Sequence, residues 1–207
     1  SMNVRTYEEY IAGQSKDVVW GDFDEQTACG LCYTSGTTGD PKGVLYSHRS
    51  NILHTMIGLQ KDAIGVGAAD TVLPVVPMFH ANAWGLAFSC PAVGAKLVLP
   101  GAKMDGESIY QLLDEEKVTF TAAVPTVWLM LLQYLESTGK KLPNLKRVVI
   151  GGSAVPERIL RAFEEVYDVE VVHAWGMTEM SALGSRGSMT ANVLEKDRET
   201  NDKYKRK

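Results

Sequence analysis

From Asp70 onward, short apolar runs alternate with stretches whose apolar residues recur at helical spacing. Residues 71–76, 96–99, 119–124, Arg147–Ile150 and 169–173 carry Val, Leu, Ile or Phe in near-continuous runs, the pattern of strands covered on both faces. Between them, Asp105 stands as a capping residue before Ile109, Leu112 and Leu113, which fall at i, i+3 and i+4. Pro125 and Thr126 introduce a second helix over residues 127–136, with Gly139 as its stop, and Pro156 opens a third that buries Ile159, Leu160 and Phe163. Repeated strand–helix–strand units predict a parallel sheet with right-handed crossovers, flanked by helices. The fold class is α/β.

The two ends read differently. Residues 1–27 are polar and weakly periodic, as expected of a linker or edge segment. After Ser181 the chain turns to Gly, Ser and Arg, and residues 195–207 are dense in both charges. The span 185–207 therefore reads as a charged tail, either a solvated helix or disordered. Residues 28–184 form the body, and no internal repeat divides it.

A strand over residues 28–33 runs into Thr34, Ser35, Gly36, Thr37, Thr38, Gly39, Asp40, Pro41, Lys42 and Gly43. Glycines let the backbone approach a ligand closely, successive N–H groups form an anion-binding nest, and Lys42 adds a point charge. These residues read as a phosphate cradle. It is not the loop of the P-loop NTPases, because Gly43 follows Lys42 where those proteins carry the magnesium-binding Ser or Thr. A helix is expected to begin near residues 47–51 with Ile52, Leu53 and Met56 on one face.

This string resembles the signature of the adenylate-forming (AMP-binding) superfamily of acyl-CoA synthetases, peptide-synthetase adenylation domains and luciferases. The resemblance covers about residues 28–184 and implies part of the large domain of such an enzyme. It implies that the loop from Thr34 to Gly39, with Lys42, embraces the β- and γ-phosphates of ATP. His173, Ala174, Trp175, Gly176, Met177, Thr178 and Glu179 resemble the family's aromatic-Gly-x-Thr-Glu motif. In that motif the aromatic stacks on adenine, the Thr contacts the α-phosphate region, and the Glu holds Mg²⁺, here with Thr34. Trp175 departs from the commoner Tyr.

Gly151 and Gly152, with Ser153 and Ala154, resemble the adenine-pocket loop. The segment from Pro77 to Gly85 resembles the lining of the acyl site, where Trp84 corresponds to a gate between ATP site and acyl channel. His80 there lies beside the acyl carboxylate, to which a neutral imidazole can donate. His48 and His54 are assigned to the helix after the loop, without chemistry.

The implied reaction has two steps. A carboxylate attacks the α-phosphate of Mg·ATP to give acyl-AMP and pyrophosphate, and the coenzyme A thiol then displaces AMP. Lys42 and His80 are the expected catalytic residues, and His80 with Trp84 contacts the acid. Peptide-synthetase domains often place an acidic residue in the segment occupied here by residues 79–84, and none is present. An uncharged acyl tail is therefore favoured over an amino or aryl acid. A medium-chain fatty acid and a thioether acid such as methylmercaptopropionate fit an apolar pocket equally well. A non-catalytic nucleotide-binding fragment is the reading from another class. The ribose-binding Asp and the small C-terminal lid domain with its lysine have no counterpart in the sequence, so the chain alone is expected not to complete turnover.

Composition narrows the remaining classes. The 207 residues are 45% hydrophobic and 22% charged with a net charge of −4, which argues against affinity for nucleic acid or acidic membranes. No apolar run approaches the roughly 20 residues of a membrane span, and Met2 leads into polar residues rather than a signal peptide. A cytoplasmic protein is expected, with a homodimer possible in principle through exposed apolar faces. Cys29 and Cys32 form a CxxC, but strand neighbours three apart point to opposite faces, so both read as buried structural cysteines rather than a redox or metal pair.

Overall fold

Two sheets organise the chain, which the computed structural model describes over residues 5–19, 21–35 and 39–205. In chain order the elements are α1 (Tyr7–Ile11), β1 (Ala28–Thr34), β2 (Lys42–Ser47), α2 (His48–Gly58), β3 (Thr71–Pro74), α3 (Ala81–Trp84), α4 (Leu86–Val93) and β4 (Lys96–Leu97). There follow α5 (Gly106–Glu115), β5 (Phe120–Ala123), α6 (Pro125–Thr138), β6 (Arg147–Ile150) and α7 (Glu157–Arg161). The chain closes with β7 (Glu170–Met177), β8 (Ala182–Arg186), α8 (Ala191–Leu194) and α9 (Arg198–Lys205). The larger sheet has the order β4-β3-β5-β6-β7-β8. Its first five strands are parallel, and β8 returns antiparallel to β7. The smaller sheet is the antiparallel hairpin β1–β2.

Local signals set the helices. The Asp105 carboxylate accepts the Ser108 N–H at 3.0 Å and starts α5. Pro125 occupies the first turn of α6, and Gly139 ends it in the left-handed conformation. Pro156 caps α7 from one position earlier than expected.

Alternation along the strands divides the core between two faces. Leu73, Val148, Ile150 and Val171 pack under α5, α6 and α7 with Ile109, Trp128, Leu131, Leu135 and Phe163. Val72, Phe120, Ala122, Val149 and Val172 turn the other way, against Ala83, Leu86 and Cys90. With both faces covered, the strands must be apolar at nearly every position, and this is why they were legible as runs.

Two features depart from the sequence reading. Lys42–Ser47 is a strand rather than a loop leading into a helix, and residues after Ser181 add β8. The charged tail takes the helical one of its two expected forms, as α8 and α9. The face of α2 is also reversed. Ile52, Leu53 and Met56 are 59%, 48% and 57% exposed, whereas Thr55 and Gly58 are buried. The large apolar residues Ile52, Leu53, Met56 and Ile57 do share one side of the helix, but that side faces solvent. Close approach to α4 selects the small residues instead, with the Gly58 position lying 3.7 Å from Ser89 Oγ.

The two cysteines of the CxxC diverge as strand geometry demands, and the expected burial holds for Cys32 but not for Cys29, which is exposed because the hairpin covers one face only. Among the described residues, no helix is long and apolar enough to cross a membrane.

Candidate functional site

A cleft enclosing about 500 Å³, partly open to solvent, lies where β6 and β7 end, with the segment after β3 along one side. The carboxyl ends of parallel strands are where open α/β sheets bind ligands, because the chain there leaves the sheet in loops free to adopt any shape. His80 and Trp84 come from the β3 side, Gly151 and Gly152 follow β6, and Ala174 to Thr178 come from β7. Five separated parts of the chain thus meet, since Ile64 from the loop after α2 and Leu183 from β8 also line the cleft.

Trp84 reaches the cleft through an unusual backbone. Ala81, Asn82, Ala83 and Trp84 have φ of 47°, 54°, 53° and 55°, so α3 is a left-handed turn made without glycine. Left-handed conformation costs roughly 1–2 kcal/mol per residue, and single residues rather than runs normally adopt it. Here burial of Ala81 and Ala83 and the bonds from Gly85 N–H to the Ala81 and Asn82 carbonyls (3.2 and 3.1 Å) hold the turn. The indole then lies against Gly151, where any Cβ would stand 3.1 Å from the Trp84 ring and 3.0 Å from the Ala174 carbonyl. Gly151 is therefore required for the tryptophan to seat.

Trp175 is 54% exposed at the end of β7, with its ring available to a ligand. The strand bulges between Trp175 and Gly176, and Gly176 passes so close to β8 that a Cβ would collide with the Ala182 carbonyl. Thr178, Glu179 and Met180 make one 3₁₀ turn, and Glu179 is exposed.

The hairpin approaches from one side. Thr34 and Lys42 are direct cross-strand partners, and Thr34 Oγ1 donates to the Lys42 carbonyl at 3.4 Å. They close the base of the loop between them. Ser35, Gly39 and Lys42 are exposed, and Gly36, Thr37 and Thr38 lie outside the described residues. Two contacts tie the stem to the cleft: Tyr46 Oη donates to the Thr178 carbonyl at 2.5 Å, and Cys32 Sγ lies 3.9 Å from Asn82 Oδ1.

A family described as AMP-binding enzyme matches residues 4–205. The chain belongs to it. This AMP-binding chain is 51% identical over 189 residues to the medium-chain-fatty-acid–CoA ligase of Ectopseudomonas oleovorans, covering 91% of the chain and 35% of that protein. It is 51% identical over 187 residues to the 3-methylmercaptopropionyl-CoA ligase of Ruegeria lacuscaerulensis, covering 90% and 34%. Among solved structures, it matches the inhibitor-bound N-terminal domain of FACL13 from Mycobacterium tuberculosis with a TM-score of 0.77 and 26% identity, covering 86% of the chain and 44% of that domain. The AMP-binding chain spans about a third of the length of these curated relatives.

Of the residues expected from sequence, His80, Trp84, Gly152, Ala174, Trp175, Gly176, Met177 and Thr178 line the one cleft. Ser153, Ala154 and Glu179 are exposed and His173 half-buried, outside its lining. Sequence reasoning missed Tyr46, whose buried place on β2 only the strand alternation 44–46 could have suggested. It also missed His54, Ile64 and Leu183. His54 was set aside as an ordinary helix residue, yet its Nε2 accepts the Leu183 N–H. No local pattern announces that contact.

Proposed function

We propose that this chain is the nucleotide- and acyl-binding part of an ATP-dependent acyl-CoA ligase acting on an apolar carboxylic acid. The carrying observation is the convergence of Trp175, Trp84 on Gly151, and the hairpin stem at one cleft. Trp175 offers an adenine a flat apolar face at the rim, and the loop based on Thr34 and Lys42 offers N–H groups, hydroxyls and an ammonium to the phosphates. Charge neutralisation and alignment are what such a displacement requires of a protein.

The cleft lining favours an uncharged acid, because among the described residues it contains no Asp, Glu, Lys or Arg. A carboxylate substrate would find His80 and the Thr178 hydroxyl beside largely apolar walls. The relatives' substrates by name, a medium-chain fatty acid and methylmercaptopropionate, agree with such a pocket.

Magnesium fits in a particular way. Among the described residues no three His, Cys, Asp or Glu side chains converge as a cage. Mg²⁺ that bridges phosphates commonly uses only one or two carboxylates and keeps water, and exposed Glu179 can supply one, with Thr34 at the loop base. The ion would neutralise phosphate charge.

Titration calorimetry of the chain with AMP, ATP and GTP tests the nucleotide half. Saturable binding of the adenine nucleotides, with GTP at least about tenfold weaker, supports the reading. A carboxylate screen scored by acyl-CoA formation, on the chain together with the further regions its relatives possess, tests the ligase half. Product from amino acids or aryl acids but from no aliphatic acid would refute the assignment of substrate.

A further inference from the structure

Tyr46 is only 4% exposed, on the inner face of β2, while its neighbour Leu45 points to solvent. Its ring packs beside the Gly30 position of β1, and its hydroxyl reaches out of the hairpin to the carbonyl of Thr178. Burial, then proximity to Cys32 and Glu179, pushes the phenol up to about 12. It therefore stays a donor across any working pH.

The recipient needs that donor. Thr178–Met180 is a single 3₁₀ turn whose one internal support is the Ser181 N–H bonded to the Thr178 carbonyl at 3.3 Å. Ser181 and Ala182 follow with φ of 58° and 94°, so the chain leaves the turn through strained backbone. A short turn with so little internal bonding takes its position from what it leans on. It leans on Tyr46. The same carbonyl oxygen has two lone pairs, and Ser181 and Tyr46 occupy both.

We infer that Tyr46 is a positioning residue, whose hydrogen bond to the Thr178 carbonyl fixes the turn that holds Glu179 beside the β1–β2 hairpin. This rests on the nucleotide-binding reading above. The consequence is specific: the hairpin and the Thr178 turn form one unit, and its geometry matters for the metal-bound triphosphate but not for adenine, which Trp175 meets separately. A tyrosine that merely filled space would affect both alike.

The test compares the wild-type chain with Tyr46→Phe, which keeps the ring and removes only the hydroxyl. Without nucleotide, amide exchange of residues 178–181 is expected to rise about tenfold, while residues 147–150 of the central sheet are unchanged. Mg·ATP should bind about tenfold more weakly, and adenosine, which carries no phosphate, within about twofold of wild type. Glu179→Gln should show the same selective loss, and the double variant little more than either single one.

Unchanged exchange at 178–181, or equal weakening of adenosine and Mg·ATP, overturns the positioning role. If the wild type binds neither ligand, the ligase reading falls and the metal-directed part of this inference falls with it, while the exchange comparison still decides whether Tyr46 holds the turn. Should Tyr46→Phe fail to fold, the wild type answers: Mg·ATP must slow exchange at 44–47 and 178–181 together. Slowing at one segment alone refutes the coupling.

Discussion

His54 Nε2 accepts the backbone N–H of Leu183 at 3.1 Å, joining α2 to β8 across the cleft wall. The imidazole also lies against Gly85, where a Cβ would stand 2.8 Å from its Cε1. One side chain thus backs both the strand that lines the cleft and the end of the turn that carries Trp84. Accepting at Nε2 requires the neutral ring with its proton on Nδ1.

That requirement gives a pH dependence. Burial lowers the His54 pKa below the ordinary imidazole value of 6.5. The unfolded chain therefore binds the proton more readily, and stability rises with pH through this window. The contribution is intact above pH 6.5 and is lost as pH falls toward and through the lower folded value. Urea midpoints measured between pH 8 and 5 should decline in the wild type, and His54→Gln should remove that part of the slope while keeping an acceptor. A slope identical in both proteins would show that His54 does not supply it.

Gly176→Ala should separate β7 from β8. The new methyl would sit 1.6 Å from the Ala182 carbonyl oxygen, which is backbone and has nowhere to move without breaking the strand pair. Overpacking of this kind costs about 3 kcal/mol or more. Thermal denaturation should show the drop, and Trp175 emission should shift red as its strand end loosens.

Trp128 lies outside the lining of the cleft. It is fully buried under the opposite face of the sheet, edge-on to Phe163 at 5.7 Å. Trp128→Ala should cost about 3–5 kcal/mol in chemical denaturation. Trp128→Phe should cost less than about 1.5 kcal/mol, because it keeps most of the ring and removes an indole N–H that is buried without a partner. Adenine-nucleotide affinity of the folded Trp128→Phe protein should equal that of wild type.

Trp175→Ala should weaken AMP about tenfold in calorimetry, the usual worth of one stacked base. Trp175→Tyr should stay within about threefold, since a phenol ring offers the same flat face. Equal affinity in Trp175→Ala would place the adenine elsewhere.

Local chemistry was legible along the chain. Asp105, Pro125 and Gly139 act on the few residues beside them, so their effect on α5 and α6 needs no knowledge of the fold. The parallel strands could be recognised because a doubly covered strand writes its burial on every residue. The hairpin strand β2 could not, because Lys42 and Gly43 have weak strand preference and only the ladder to β1 holds them extended. The same is true of β8, a Gly- and Ser-containing segment held by β7.

The amino-acid order alone determined the α/β class, the glycine- and hydroxyl-rich composition between Thr34 and Lys42, and the Trp175–Glu179 motif, because each depends on neighbours in sequence. Tertiary structure alone decided which side of α2 is buried, that four consecutive non-glycine residues turn left-handed to seat Trp84 on Gly151, and that Tyr46 and His54 brace the cleft. Those outcomes come from contacts between residues far apart in the chain, where close packing and buried hydrogen bonds outweigh the local preferences of each segment.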